Sequence, residues 1–430
     1  MSPGFLRDLT SPARPTTGLL VLALVLGLAP LIFRSSLSVN LLTQMAVAMV
    51  ACLSFNLLYG QGGMLSFGHA VYSGLGAYLA IHAMNGIGGA LFRLPVPLVP
   101  LAGALGGMVA AALLGLVATR RAGTPFAMIT LGLGELVAAA ALMMPGIFGG
   151  EGGIAGNRAS GGPIAGIDFG AALPVYFLAA AYAWVAAVLL FALARTPLGR
   201  LLNAVRDNPE RVEFIGYDPR WIRYWAFVIA GCFAGLAGGL AAVAFEIVTT
   251  EALGASRSGA YLLFTFLGGT QHFLGPIFGG VLMVLASVVF SELTRAWLLY
   301  LGLVFIFGVL FAPGGLTGVA ASVVAALRRG DLQSARARGL APAVAGLGFL
   351  AGLVALTEML YGLQFRSSPG QRVRVLGLAV DPSRIDHWAW ALLVTAVFAG
   401  WFGWMRREVG RRMPQADLSE TVAESAKATP

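Results

Sequence analysis

Lysine is almost missing from this 430-residue chain, in which Lys427 is the only one. A loop that cradles nucleotide phosphates in the pattern G-x-x-x-x-G-K-S/T needs its lysine to reach the terminal phosphates. Lys427 lies in no such pattern, so any ATP hydrolysis that serves this protein is expected on separate chains. Cysteine is nearly as scarce. Cys52 and Cys232 each sit inside an apolar run, far from any metal-ligand spacing, which leaves packing as their role. No H-E-x-x-H helix motif and no G-x-S-x-G elbow occurs, and no convergent set of acids and bases that a membrane-embedded transferase would need. No catalytic residue, metal or cofactor is therefore expected. Charge is short as well: 11% of residues are charged against 58% hydrophobic, too few to cover a soluble domain, so lipid is the expected solvent.

Apolar runs long enough to cross a bilayer, roughly 17 to 25 residues each, recur almost to the carboxyl end. They predict an all-α polytopic membrane protein with about ten core transmembrane helices plus two C-terminal ones. The spans fall near 18–33, 39–59, 64–84, 96–118, 125–144, 174–194, 225–247, 260–269, 276–293, 297–312, 341–363 and 387–404. The chain then divides into a membrane domain over 1–318, a basic cytoplasmic linker over 319–340, two additional spans within 341–405 and a polar, disordered tail over 406–430. The first run follows Arg7 and Arg14 but precedes no small-x-small cleavage site, so it reads as a retained helix.

The net charge of +9 comes from arginines clustered between apolar runs, a topological pattern that argues against nucleic acid as a partner. Placing both termini in the cytoplasm puts Arg120, Arg121, the loop 195–224, Arg328, Arg329 and the arginines from Arg406 to Arg412 on that side, as the positive-inside rule asks. Glycines at four-residue spacing, Gly103 and Gly107, then Gly231, Gly235 and Gly239, then Gly275 and Gly279, let helix backbones approach closely in lipid; packing within the chain is favoured over a subunit interface.

The loop 195–224 is organised. Thr196 and Pro197 make a helix start, and Leu198, Leu201, Leu202 and Val205 then recur at helical spacing. Asp207 or Asn208 can cap a second short helix with Pro209 in its first turn, and Gly216 ends it. Two short helices carrying Arg206, Asp207, Glu210, Arg211 and Glu213 form either a compact mixed-charge surface suited to a protein partner or a merely solvated loop.

Ionisable groups within spans are costly and mark function or internal pairing. Glu135, mid-span and five residues after Thr130, either lines a translocation path or accepts hydrogen bonds from a neighbouring helix. Gln61, Ser66 and His69 cluster at a glycine-interrupted helix start, where broken helices survive if they line a cavity or are buried in protein. His272 lies in a comparable interrupted stretch.

Four segments then carry a resemblance: LLYGQGGMLSFGHAVYSGLGAYLA from Leu57, GTPFAMITLGLGEL from Gly123, TPLGRLLNAVRDNPERVEFIGYDP from Thr196 with AFVIAGCFAGLAGGLAA from Ala226, and LGGTQHFLGPIFGG from Leu267 with FAPGGLTG from Phe311. In order and spacing the chain resembles the LivM-type permease of branched-chain amino acid ABC importers from about residue 40 to 318. The resemblance implies a permease in a bacterial inner membrane, with the loop 195–224 as the coupling loop. By it Arg206, Asp207, Asn208, Glu210, Arg211, Glu213 and Gly216 meet the ATPase, and Gln61, Ser66, His69, Thr130 and Glu135 are candidates for the path. Arg211 and Val212 depart from the small alanines usual there. The implied partners are two ATP-binding cassette subunits, a second homologous permease, a periplasmic solute-binding protein and membrane lipids. Branched-chain amino acids, urea, amides and aromatic acids remain open as solutes. The alternative is an ion-coupled secondary transporter with Glu135 as its ion site.

Overall fold

The structure, a computed structural model, describes residues 14–86, 94–161, 166–291, 297–311, 314–320, 341–364, 373–375, 378–380, 385–401 and 403. It is overwhelmingly helical and forms two compact units, Met1–Val289 and Phe290–Pro430.

In the first unit the helices are α1 Arg14–Ile32, α2 Ser36–Asn56, α3 His69–Asn85, α4 Val99–Ala118, α5 Thr124–Met143 and α6 Ala172–Arg195. Two short helices follow, α7 Pro197–Asp207 and α8 Pro209–Phe214, then α9 Pro219–Phe245, α10 Ala255–Gly268 and α11 Gly275–Leu285. Helix is what such apolar sequence must form in lipid, because no water is there to take an unpaired backbone group. Among the described residues, five helices are long and apolar enough to cross a membrane: α2 with its extension to Gln61, α4 from Val96, α5, α6 and α9. The most apolar stretches of α2 and α9 are 78% buried against 28% for α4 and α5, which makes α2 and α9 the central pair.

Glycine sets the tightest crossing. A methyl group added at Gly103 would lie 2.6 Å from the Gly235 carbonyl oxygen and 2.6 Å from Gly239 Cα, and one at Gly107 would lie 2.6 Å from Gly235 Cα. The glycine faces of α4 and α9 thus meet each other within the chain. Gly279 packs on the α10 backbone at Phe264, and Gly280 on α2 at Met49, so the third face is internal too.

Orphaned carbonyls are met by side chains. Pro30 has no N–H to give the Leu26 carbonyl one turn earlier, and Tyr176 Oη of α6 donates to that oxygen at 2.5 Å. Trp184 Nε1 donates to Leu19 O at 3.2 Å, a second bond from α6 to α1.

Three sequence expectations are corrected. The span placed at 64–84 is not continuous: 62–68 is irregular and α3 begins at His69, where Gly68 lies against the Thr130 carbonyl and Ser258 Oγ accepts from Ala70 N. The span placed at 260–269 is α10, starting at Ala255. The helix placed at 225–247 starts six residues earlier, since Asp218 Oδ1 accepts from Arg220 N at 2.8 Å and caps Pro219 in the first turn. Glu246 adopts φ +56 and pairs with Arg158 at 3.9 Å. Arg158 also donates to the Val243 and Ala244 carbonyls, capping the end of α9, beside a short pairing of β1 Ile154–Ala155 with β2 Ile247–Val248.

In the second unit are α12 Trp297–Phe311, a short helix over 315–320, α13 Ala341–Gln364, and a hairpin of β3 Val373–Val375 with β4 Leu378–Val380. A helix α14 over 385–401 completes it, and Gly352 of α13 packs on Thr395 of α14. Glu358 accepts from Tyr300 Oη at 2.7 Å. The basic linker expected from sequence, except residues 319 and 320, and the tail lie outside the described residues.

Candidate functional site

The site begins where α2 ends. After Asn56 the helix loosens into a π-turn over Leu57–Gln61, and the chain then closes on itself: Gly62 N and Met64 N both donate to Leu58 O, and Gly63 N to Tyr59 O. Gly63 has φ +64, a conformation glycine adopts without steric cost. Along the irregular stretch, Phe67 N donates to Thr130 Oγ1 at 3.2 Å, while Thr130 donates to Ala127 O. Gly68 lies against the Thr130 carbonyl, where no side chain fits. The first turn of α3 has orphan donors, and Ser258 Oγ of α10 takes the one from Ala70 N at 2.9 Å.

His69 is fully buried, with Phe55, Tyr72 and Tyr261 ring centroids at 5.4, 6.1 and 6.5 Å. Ser54 Oγ spends its one hydrogen on Ala230 O at 2.6 Å, so at 3.0 Å it accepts from His69 Nε2–H. One polar chain therefore links α2, α3 and α9 at the centre of the unit.

A second interruption meets the first. Between α10 and α11 the backbone turns at Gly269, φ +110, and a methyl group on Gly60 would lie 2.9 Å from the Thr270 carbonyl oxygen. Tyr59 and Phe266 stack across this seam with centroids 4.4 Å apart. Buried polar atoms without a protein partner gather on the two interruptions: Asn56 Oδ1, Gln61 Oε1, Ser66 Oγ, His69 Nδ1 and His272 Nδ1. Such atoms are rare in native interiors, and five of the ten among the described residues lie here, which makes this region the candidate site.

Of the expected path residues, Gln61, Ser66, His69 and Thr130 thus fall around the α2–α3 interruption. Glu135 does not join them. It is exposed on the opposite stripe of α5, with Met128, Gly132 and Leu136, and among the described residues no ion pair or hydrogen bond reaches it. A carboxylate mid-helix in lipid costs about 3 kcal/mol on insertion scales, so Glu135 is the costly residue of this stripe.

Outside the long apolar helices stands the α7–α8 pair. Thr196 Oγ1 accepts from Gly199 N and Asn208 Oδ1 from Arg211 N at 3.1 Å, so each helix has the cap the sequence offers. Leu202 and Val205 of α7 and Val212 of α8 are buried. Asp207, Glu210, Arg211, Glu213 and Gly216 are exposed, Gly216 at φ +93. Two features were not read from the sequence. Phe214 is 90% and Ile215 74% exposed, a bare apolar tip beyond the charges. The only sequence signal was an F-I pair placed after a charged turn and before a terminating glycine. Arg206 points inward instead of to the surface, donating to Gly60 O and to Asp207 Oδ1.

Fold and site together define a multi-pass α-helical membrane protein with interrupted helices at its centre and a helical pair projecting from its apolar spans. The chain belongs to the family described as branched-chain amino acid transport system / permease component, which matches residues 37–313. It is similar to the high-affinity branched-chain amino acid transport system permease protein LivM of Escherichia coli K12, 28% identical over 318 residues, 69% of this chain and 74% of that one. The LivM protein of Salmonella typhimurium LT2 is 28% identical over 300 residues, 65% of this chain and 69% of the relative. A probable branched-chain amino acid transport permease protein LivH of Methanocaldococcus jannaschii is 30% identical over 136 residues, 30% of this chain and 42% of the relative. No solved structure matches the chain. As a member of this family it is a permease subunit of an ABC importer, a multi-pass membrane component that works with ATPase and binding-protein components.

Proposed function

We propose that this chain is one half of the translocation pathway of an ATP-driven importer of branched-chain amino acids, completed by a second homologous permease, two ATPase chains and a periplasmic solute-binding protein. The observation that carries the reading is the α7–α8 pair: a capped, two-helix element outside the spans, with mixed charges from Asp207 to Glu213 and the bare Phe214–Ile215 tip. An apolar pair so exposed is the kind of anchor that fills a pocket on a partner, and the charged rim fixes its register. In this reading the pair docks on the ATPase, both termini and the arginine clusters lie in the cytoplasm, and residues 1–318 form the permease domain. The printed names of the relatives supply the solute class. Glu135 then faces the path or the second permease.

The test is to purify the complex from its native membrane with wild-type chain and with Phe214→Glu/Ile215→Glu. Wild-type chain is expected to bring ATPase chains with it, and the double variant to lose at least nine-tenths of them while the spans remain folded. Equal recovery from both would place the ATPase elsewhere.

The exposed mid-span Glu135 is the one observation that favours a second reading, ion-coupled transport by the chain without an ATPase. In that case Glu135→Gln would abolish uptake, and ATP would be dispensable.

A further inference from the structure

We infer that Arg206 is the joint through which motion of the α7–α8 pair reaches the centre of the permease, acting as the cap on the end of α2. This deepens the reading above and rests on it only for the source of the motion.

The last turn of any helix leaves carbonyls without intrahelical donors, and its end carries partial negative charge. At the end of α2 the chain itself satisfies Leu58 O and Tyr59 O, through Gly62, Met64 and Gly63. The next carbonyl, Gly60 O, takes its hydrogen from Arg206 Nη1, a residue 146 positions later on a different helix. The guanidinium thus supplies both the missing donor and the positive charge that this helix end favours. The same guanidinium is held from the other side by Asp207 Oδ1, with Nε and Nη2 each at 3.2 Å. The bridge therefore runs from an exposed carboxylate to a part-buried carbonyl.

There is no slack in it. A methyl group on Gly63 would lie 2.7 Å from Arg206 Cγ, and one on Gly62 would lie 3.1 Å from Leu202 Cδ1. Two successive glycines are the space into which α7 is seated. Leu202 and Val205 are buried, so α7 cannot shift against the α2 end without carrying it along. What lies upstream on α2 is the Asn56 carboxamide and, six residues before Gly60, Ser54, which is bonded to His69 and to the α9 backbone. The π-turn between them is the least regular part of the helix, and such turns are frequent at functional sites. A displacement at the exposed tip is thereby delivered to the buried polar chain through one guanidinium, and Arg206 is a positioning residue, not a docking one.

Hydrogen exchange tests this directly. In the purified chain Arg206→Ala is expected to speed exchange of amides in 57–64 at least tenfold, with amides of α9 unchanged, and Arg206→Lys is expected to restore part of the protection. In the complex with hydrolysis-deficient ATPases, adding ATP is expected to change exchange at 57–64 for wild type, and not for Arg206→Ala even though the ATPases stay bound. Unchanged exchange in Arg206→Ala, or an ATP response equal to wild type, overturns the inference. Loss of the ATPases from Arg206→Ala, with none of the exchange effect, would make Arg206 a docking residue and overturn it as well. Failure of wild-type chain to bind any ATPase contradicts the importer assembly instead, and leaves the first arm to decide the cap.

Discussion

Gly235→Leu is expected to cut the yield of folded, monodisperse chain at least tenfold. Gly235 sits where α9 crosses α4, and an added Cβ there would meet the backbone of Gly103 and Gly107, not the end of a flexible side chain. Overpacking costs about 1 to 3 kcal/mol when neighbours can yield. Here the helices must separate along their glycine faces, so the loss reaches several kcal/mol against a total stability of about 5 to 15. Gly27→Leu is the control. Nothing lies within 4 Å of a Cβ at Gly27, and leucine is the better helix former, so that variant should accumulate like wild type. Size-exclusion profiles of the two detergent-extracted variants check the pair, and equal profiles would contradict the glycine account.

His69→Ala should lower the unfolding free energy in detergent by about 3 kcal/mol, from the cavity left by a fully buried ring. Ser54→Ala should lower it by about 1 kcal/mol, because His69 Nε2–H and Ala230 O each lose a partner. The two are coupled through one hydrogen bond, which in membrane proteins averages about 0.6 kcal/mol, so the double variant should be less destabilised than the sum by about that amount. A His69→Ala variant as stable as wild type would show that the ring does not organise the centre.

Much of this was readable in the residues. Thr196, Asn208 and Pro209 dictate the two short helices through capping chemistry that is local, and the structure uses them as caps. Glycine spacing marked the α4 and α9 faces for the same reason: the absence of a Cβ is a property of one residue. What could not be read was decided by distant partners. Met64 to Met84 is apolar enough for an unbroken span, and only the fit of Gly68 on Thr130 and of Ala70 on Ser258 explains why α3 starts at His69. Arg206 sits in a charged stretch that suggests a solvated face, yet its orientation is set by a carbonyl in α2 orphaned by the π-turn. Arg158 and Glu246 come from segments 88 residues apart, and neither sequence neighbourhood signals that they close the far end of α9. Glu135 was legible as an unusual charge, and its exposure was not, since periodicity on an all-apolar helix does not say which stripe is covered.

In the proposed importer this permease moves solute only as ATP is hydrolysed by separate chains seated on α7 and α8. Uptake of radiolabelled leucine, isoleucine or valine by liposomes carrying the purified complex and its binding protein tests it most directly. Uptake that requires enclosed ATP on the ATPase side, persists when an ionophore collapses the proton and sodium gradients, and disappears with Phe214→Glu/Ile215→Glu is the predicted result. Uptake by the chain without ATP, lost on adding the ionophore and in Glu135→Gln, would contradict it.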